Sequence, residues 1–191
     1  MAERHSTVTL YTAQSDAVLR AIARDGVCFS KAEYVRDKYG ESGPIFLTAY
    51  RWFAAQAEKI VPRPAGAEFP YWVFGERQCV DRSGGGTLLT LRVPRDEAVF
   101  FDMYDWNRVL QLKYMGESPD DERAFCAELA LRGLRESDVM LSAFYPEQKR
   151  EIVDSWQRLL RHHKQIRSGD VSGVGAVQAA LWCIKAEWVV R

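Results

Sequence analysis

Residues 7–29, TVTLYTAQSDAVLRAIARDGVCF, decide the fold class. Thr7 to Gln14 reads as a short strand. Ser15 stands where a helix would be capped, and the apolar positions Val18, Leu19 and Ile22 share one face of that helix. Gly26 ends it, because glycine takes the left-handed backbone that closes a helix. Val27 to Phe29 is the next extended piece, so the chain opens strand, helix, strand.

The downstream chain continues the alternation. Ser30 and Glu33 have capping-box spacing and predict a short helix toward Gly40. Pro44 suits the first turn of a longer helix carrying Phe46, Ala49, Tyr50, Phe53, Ala57 and Ile60, stopped by Pro62. Pro70 to Phe74 (PYWVF) is an aromatic strand, and Ser83 to Gly86 is a flexible turn. Thr87 to Val93 follows with Leu89, Leu91 and Val93 on one face, and then Ala98 to Phe101 as a further sheet segment. Asp102 with Asp105 can cap a helix that buries Met103, Trp106, Val109 and Leu110. Helices are also expected after Ser118 and after Pro146, the latter with a stripe of Ile152, Val153, Trp156, Leu159 and Leu160. From His162 to Gly175 the chain turns polar and glycine-bearing; Val177 to Ile184 then reads as a strand, with helix as the alternative. There is no internal repeat. The expectation is α+β, one domain over residues 1–191.

Composition bounds the function. Hydrophobic residues make up 47% of the chain, enough for a sizeable core. Lysine plus arginine equals aspartate plus glutamate, 26 against 26, so no net field draws the molecule to nucleic acid or an anionic membrane. The start MAERHSTVTLYTAQS lacks the apolar core of a signal peptide, and no apolar run reaches the ~20 residues of a membrane helix. A cytoplasmic protein without a membrane partner is expected. Cys28, Cys79, Cys126 and Cys183 are far apart and read as reduced core thiols.

Most chemical motifs fail. Three histidines and four scattered cysteines make no converging zinc set, so no metal is expected; adjacent His162 and His163 read as a solvated helix end. The Gly173, Val174, Gly175 run lacks the strand before and helix after that a dinucleotide loop needs. No phosphate-loop or serine-hydrolase signature is present. What remains is a set of aromatic residues near sheet and loop junctions: Tyr11, Tyr71, Trp72, Tyr104, Trp106 and Trp182. Each pairs a flat face with a hydrogen-bonding tip, suited either to a planar ligand or to ordinary core packing.

The stretches TLYTAQSDAVLRAI, FPYWVF, TLLTLRVPRDEAVFFDMYDWNRVL, REIVDSWQRLL and VQAALWCIKAEWV, in this order, resemble a bacterial family catalogued as a domain of unknown function. At the level of fold the chain is also similar to ADP-ribosyltransferases, which open with a Leu-Tyr strand and a short helix ending at glycine. They close with a loop leading into a strand that carries a glutamate or glutamine, as Ser168 to Ala176 leads here into Val177, Gln178 and Ala179.

That resemblance implies a compact split mixed sheet flanked by helices, with NAD as co-substrate across a cleft. It implies Tyr11 and Gln178 as catalytic residues, Thr12 gripping the ribose or nicotinamide amide, Tyr71 or Trp72 stacking on nicotinamide, and Arg77 or Arg82 neutralising the pyrophosphate. Gln178 departs from an acidic residue there: it can hydrogen-bond a ribose hydroxyl and cannot act as a base. The acceptor is left open among protein, nucleic acid and small molecule. The arrangement requires the first and last extended segments to lie side by side. Two rival readings are a noncatalytic nucleotide- or peptide-binding regulator in the same cleft, and a nucleic-acid protein using Arg77, Arg82, Arg158, Arg161, Lys164 and Arg167 as a phosphate track.

Overall fold

The computed structural model describes residues 6–30 and 43–190. Strand β1 (Thr7–Gln14) alternates as its sequence suggests, with Leu10 and Thr12 buried and Thr7 and Thr9 exposed. Helix α1 (Asp16–Asp25) follows, and Gly26 closes it at φ 75°. Ser15 occupies the N-cap without a side-chain capping bond. Strand β2 (Val27–Phe29) comes next; the helix expected from Ser30 to Gly40 lies outside the described residues. Helix α2 (Gly43–Ala57) starts as the proline at its second position allows.

Then come β3 (Tyr71–Phe74), β4 (Thr87–Pro94) and β5 (Ala98–Asp102). Four helices follow: α3 (Met103–Leu110), α4 (Pro119–Leu131), α5 (Glu136–Leu141) and α6 (Pro146–Ser155). Asp102 caps α3 by accepting from the Tyr104 amide at 2.9 Å, and Ser118 caps α4 by accepting from the Asp121 amide at 3.2 Å. After a 3-10 turn at Trp156–Leu160, the polar stretch beyond His162 carries a helix the sequence reading left out, α7 (His163–Ser168). The closing segment is extended: β6 (Val177–Leu181), a break at Trp182, and β7 (Cys183–Lys185).

The fold is α+β. Five strands pair in the order β4-β1-β3-β6-β5, and β2 pairs with β7 in a separate two-stranded ladder. Every pairing between these strands is antiparallel. One expectation needs correction: the first and last extended segments are not neighbours. β3 lies between them, since Phe74 pairs with Tyr11 on one side and with Gln178 on the other.

Each face of the sheet has its own core. On one, Phe53, Tyr50 and Ala54 of α2 pack with Phe101, Trp106, Ile152 and Trp156. On the other, Leu10, Val73, Leu91, Phe100 and Leu181 meet Ile22, Ile166, Ile184 and Trp188. β5 is buried along its whole length because helices close over both of its faces. Fully burying a side chain of this kind contributes roughly 1.5–3 kcal/mol.

Two further readings change. Cys28 and Cys183 are buried, but Cys126 is exposed on the outer face of α4. His163 is no solvated helix end: it is buried, and its Nδ1 accepts from the Phe100 amide at 3.0 Å. No helix among the described residues is long and apolar enough to cross a membrane.

Candidate functional site

Directly opposed residues of antiparallel strands present their side chains on one face. Register therefore sets Thr90, Tyr11, Phe74, Gln178 and Phe101 in a single row across four junctions of the sheet. On this face α2 covers the β3 and β5 portion, where the Phe53 ring lies 5.0 Å from Trp72 and 5.2 Å from Phe101. Toward β1 and β4 the same face opens: Tyr11 and Thr90 are half-buried, and Thr9 and Arg92 are exposed.

The chain leaving β3 bends beside Tyr11. Gly75 donates its amide to Val177 at 2.8 Å, and a Cβ on Gly75 would lie 2.9 Å from the Val177 Cβ. Only glycine permits this close passage without displacing β6. Glu76, a 3-10 turn at Arg77–Cys79, and buried Val80 follow. The Asp81 carboxylate then holds the next turn by accepting from the Ser83 amide at 2.9 Å and the Ser83 hydroxyl at 2.7 Å.

The result is a hollow of about 660 Å³ lined by Tyr11, Gly75, Glu76, Arg77, Gln78, Val80 and Arg82. That size falls within the range of small-molecule sites, about 300–1,000 Å³. Glu76 accepts a hydrogen bond from the Gln78 amide. Among the described residues the guanidinium groups of Arg77 and Arg82 have neither a hydrogen bond nor an ion pair.

Three residues singled out in the sequence thus meet here: Tyr11, Arg77 and Arg82. The others lie elsewhere. Thr12 is on the opposite face, 2% exposed, donating to the Trp72 carbonyl at 3.1 Å. Tyr71 shares that opposite face and its hydroxyl donates to Cys28 Sγ at 3.1 Å. The Trp72 ring is half-buried and packs against Tyr50, Phe53, Phe101 and Trp106, with the Trp106 centroid at 4.6 Å. Gln178 shares Tyr11's face two strands away, ~10 Å at the usual strand spacing. It is 3% exposed, does not line the hollow, and its Oε1 has no hydrogen-bond partner among the described residues.

Glu76 and Gln78 escaped the sequence reading because they sit on a loop, where no periodicity marks them. The half-polar strands did carry a signal, since the alternation of Thr9 with Tyr11 and of Thr90 with Arg92 marks one open face.

The proposed track of basic residues does not form one surface. Arg158 donates to the Met115 carbonyl at 2.8 Å and to Glu117 at 3.0 Å, and Arg161 pairs with buried Asp105 at 3.0 Å. Burial raises the Asp105 carboxyl above its usual range, with Arg161 opposing that shift. Lys164 and Arg167 belong to α7, which packs on β5, the edge of the sheet farthest from β4.

A second hollow of about 590 Å³ lies between β2, β7 and the Pro62–Pro64 turn. Several of its polar groups are engaged, with Trp182 Nε1 donating to the Val61 carbonyl at 2.8 Å and Lys185 to Glu97 at 2.8 Å. Burial pushes the Cys183 thiol there up to about 11, so it is protonated near neutral pH and is no nucleophile. Burial also raises the Cys79 thiol beside the first hollow. Among the described residues, no group of three or more histidine, cysteine, aspartate or glutamate side chains could hold a metal ion.

No curated protein and no solved structure matches the chain. A family model matches residues 9–190, nearly the whole chain, and on that ground the protein belongs to the family described as Domain of unknown function (DUF3841).

Proposed function

We propose that the hollow beside Tyr11 binds the dinucleotide NAD and that the protein transfers ADP-ribose from it. The observation that carries this reading is the convergence of Tyr11, Arg77, Arg82 and Glu76 on one hollow. A ring, two free guanidinium groups and a carboxylate are the groups that a base or nicotinamide, a pyrophosphate and a ribose hydroxyl would each require. In this reading Arg77 and Arg82 hold the pyrophosphate and the Tyr11 ring packs against the planar end.

Glu76 then supplies the carboxylate that Gln178 lacks. It accepts from a ribose hydroxyl, with Gln78 orienting it. The glycosidic carbon–nitrogen bond breaks, nicotinamide leaves with the bonding pair, and the acceptor's nucleophile forms the new bond while its proton passes to Glu76. Developing positive charge on the ribose is stabilised by that carboxylate.

Calorimetric titration with NAD tests the site. Arg77→Ala and Arg82→Ala should each weaken binding roughly 10- to 100-fold, the worth of a hydrogen bond to a charged group, about 1.5–3 kcal/mol. Glu76→Gln should retain binding and the melting temperature and lose nicotinamide release. Binding without release in the wild-type protein would assign a noncatalytic nucleotide-binding role. No binding at millimolar NAD would sink both.

A further inference from the structure

We infer that the turn Arg82–Gly85 is a two-state clamp at the mouth of the hollow. Its Ser83–Gly84 peptide flips when an anionic ligand binds, and the Gly84 amide then joins the Arg82 guanidinium in holding phosphate. That the ligand is NAD rests on the reading above; the flip does not.

The starting point is a glycine that the resting structure does not require. Of the glycines from Gly66 to Gly175, Gly84 alone has neither a left-handed φ nor an atom of the described residues within 4 Å of the place a Cβ would take. A glycine that serves neither end costs stability, because it has the most backbone freedom to lose on folding. Gly85 and Gly86 beside it are accounted for by φ values of 76° and 95°.

The Gly85 amide donates to the Arg82 carbonyl at 3.1 Å, which makes Arg82–Gly85 a β-turn with Gly84 at its third position. Neither Ser83 nor Gly84 has a positive φ, so the turn is of type I, the form that accepts most residues there. Type II is reached from it by rotating the Ser83–Gly84 peptide, and it needs a left-handed residue where Gly84 stands. Glycine takes either form at similar cost. The rotation breaks no bond that holds the turn. The Gly85–Arg82 bond belongs to both forms, and the Ser83 amide and hydroxyl, which donate to Asp81 at 2.9 and 2.7 Å, precede the rotating peptide. Among the described residues the Ser83 carbonyl and the Gly84 amide have no hydrogen-bond partner, and residues 81–87 are all exposed. Buried Val80 anchors one end; at the other a Cβ on Gly86 would lie 2.9 Å from the Gln14 carbonyl oxygen. Arg82, first in the turn, lines the hollow. The flip puts an N–H where a carbonyl oxygen stands, and a phosphate favours that exchange of acceptor for donor. The ligand therefore binds the flipped form better, the differential affinity that a conformational shift needs.

Calorimetric titration with NAD, and in parallel with inorganic pyrophosphate, of the wild-type, Gly84→Ala and Gly84→Asn proteins tests the inference. Both variants should melt at or slightly above the wild-type temperature, since the resting turn leaves room for a side chain and has a backbone that other residues adopt. Gly84→Ala should weaken binding roughly 5- to 30-fold, the cost of placing a residue with a Cβ in left-handed backbone. Gly84→Asn, which tolerates that backbone, should weaken it less.

A side chain that merely blocked the ligand would give the reverse order, because asparagine is the larger, and that order would overturn the flip. So would a Gly84→Ala protein that binds as tightly as wild type to whichever probe binds; if that probe is NAD, the dinucleotide reading survives alone. If pyrophosphate shows the Gly84 dependence and NAD does not bind, the dinucleotide reading falls and the clamp stands. Binding of neither probe overturns both.

Discussion

Trp72→Ala is expected to lower folding stability by about 3 kcal/mol, the low end of the cost of removing a large aromatic from a packed core, because the ring is half-buried. For a chain of 191 residues this corresponds to a melting temperature lower by roughly 6–12 °C. The cause is local and specific. Trp72 makes edge contacts with Tyr50 at 5.1 Å, Phe53 at 5.0 Å and Phe101 at 6.1 Å, and lies 4.6 Å from Trp106 at a tilt of 33°. It therefore joins α2, β5 and α3 to the centre of the sheet. Alanine would leave a void that four rings cannot close, because each is also held by the others. Trp72→Phe keeps one ring in the cluster and should recover much of the loss. Differential scanning calorimetry reads both variants. A Trp72→Ala protein that melts within about 2 °C of wild type and has lost NAD binding would show that the ring serves a ligand rather than the core.

Trp72 also shows where sequence reasoning reached its limit. Its strand was legible, since β3 is bounded by a proline and a glycine and alternates buried with half-buried positions. Which face its ring occupied was not legible, because a one-residue change of register exchanges the faces and nothing local fixes it. The same uncertainty separated Tyr11 from Thr12, adjacent residues that point to opposite sides of β1.

Elements with their own start signals were read closely. β1, α1, β2 and the helices after Ser118 and Pro146 all carry caps, prolines or stripes that act within a few residues. The six-residue helices α5 and α7 were missed because such short polar segments are held by tertiary contacts: Glu136 of α5 accepts from the Tyr114 amide at 2.7 Å, and His163 of α7 binds β5. The unbroken extended pattern from Val177 to Ile184, apolar but for Gln178, concealed a change of partner. β6 ends at Leu181, Trp182 turns its indole N–H to Val61, and β7 joins β2 instead of the main sheet. Strand order likewise lay beyond periodicity, since pairing between distant segments depends on long-range packing.

His163→Leu is expected to lower stability by about 1–3 kcal/mol, because it leaves a buried backbone N–H without an acceptor. β5 is an edge strand, and the Phe100 amide, unable to find a further strand, donates to His163 Nδ1 at 3.0 Å. That bond requires an unprotonated Nδ1, so the folded ring is neutral with its proton on Nε2. Burial holds the imidazole below its usual range, and the neighbouring Arg167 charge acts in the same direction. A depressed folded-state pKa means that the unfolded chain takes up the proton first. The stabilisation is therefore complete above about pH 6.5, the ordinary histidine value, and is lost as pH falls through the lower folded value. His163→Asn offers a side-chain carbonyl in place of Nδ1 and has no titrating ring. It should lie near wild type at about pH 7.5 and lose less stability than wild type on acidification toward about pH 5. Denaturant melts across that range isolate the difference, since the remaining carboxylates and histidines titrate alike in both proteins. A stability gap between wild type and the His163→Asn variant that stays constant with pH would refute the neutral-acceptor account of how this sheet edge is closed.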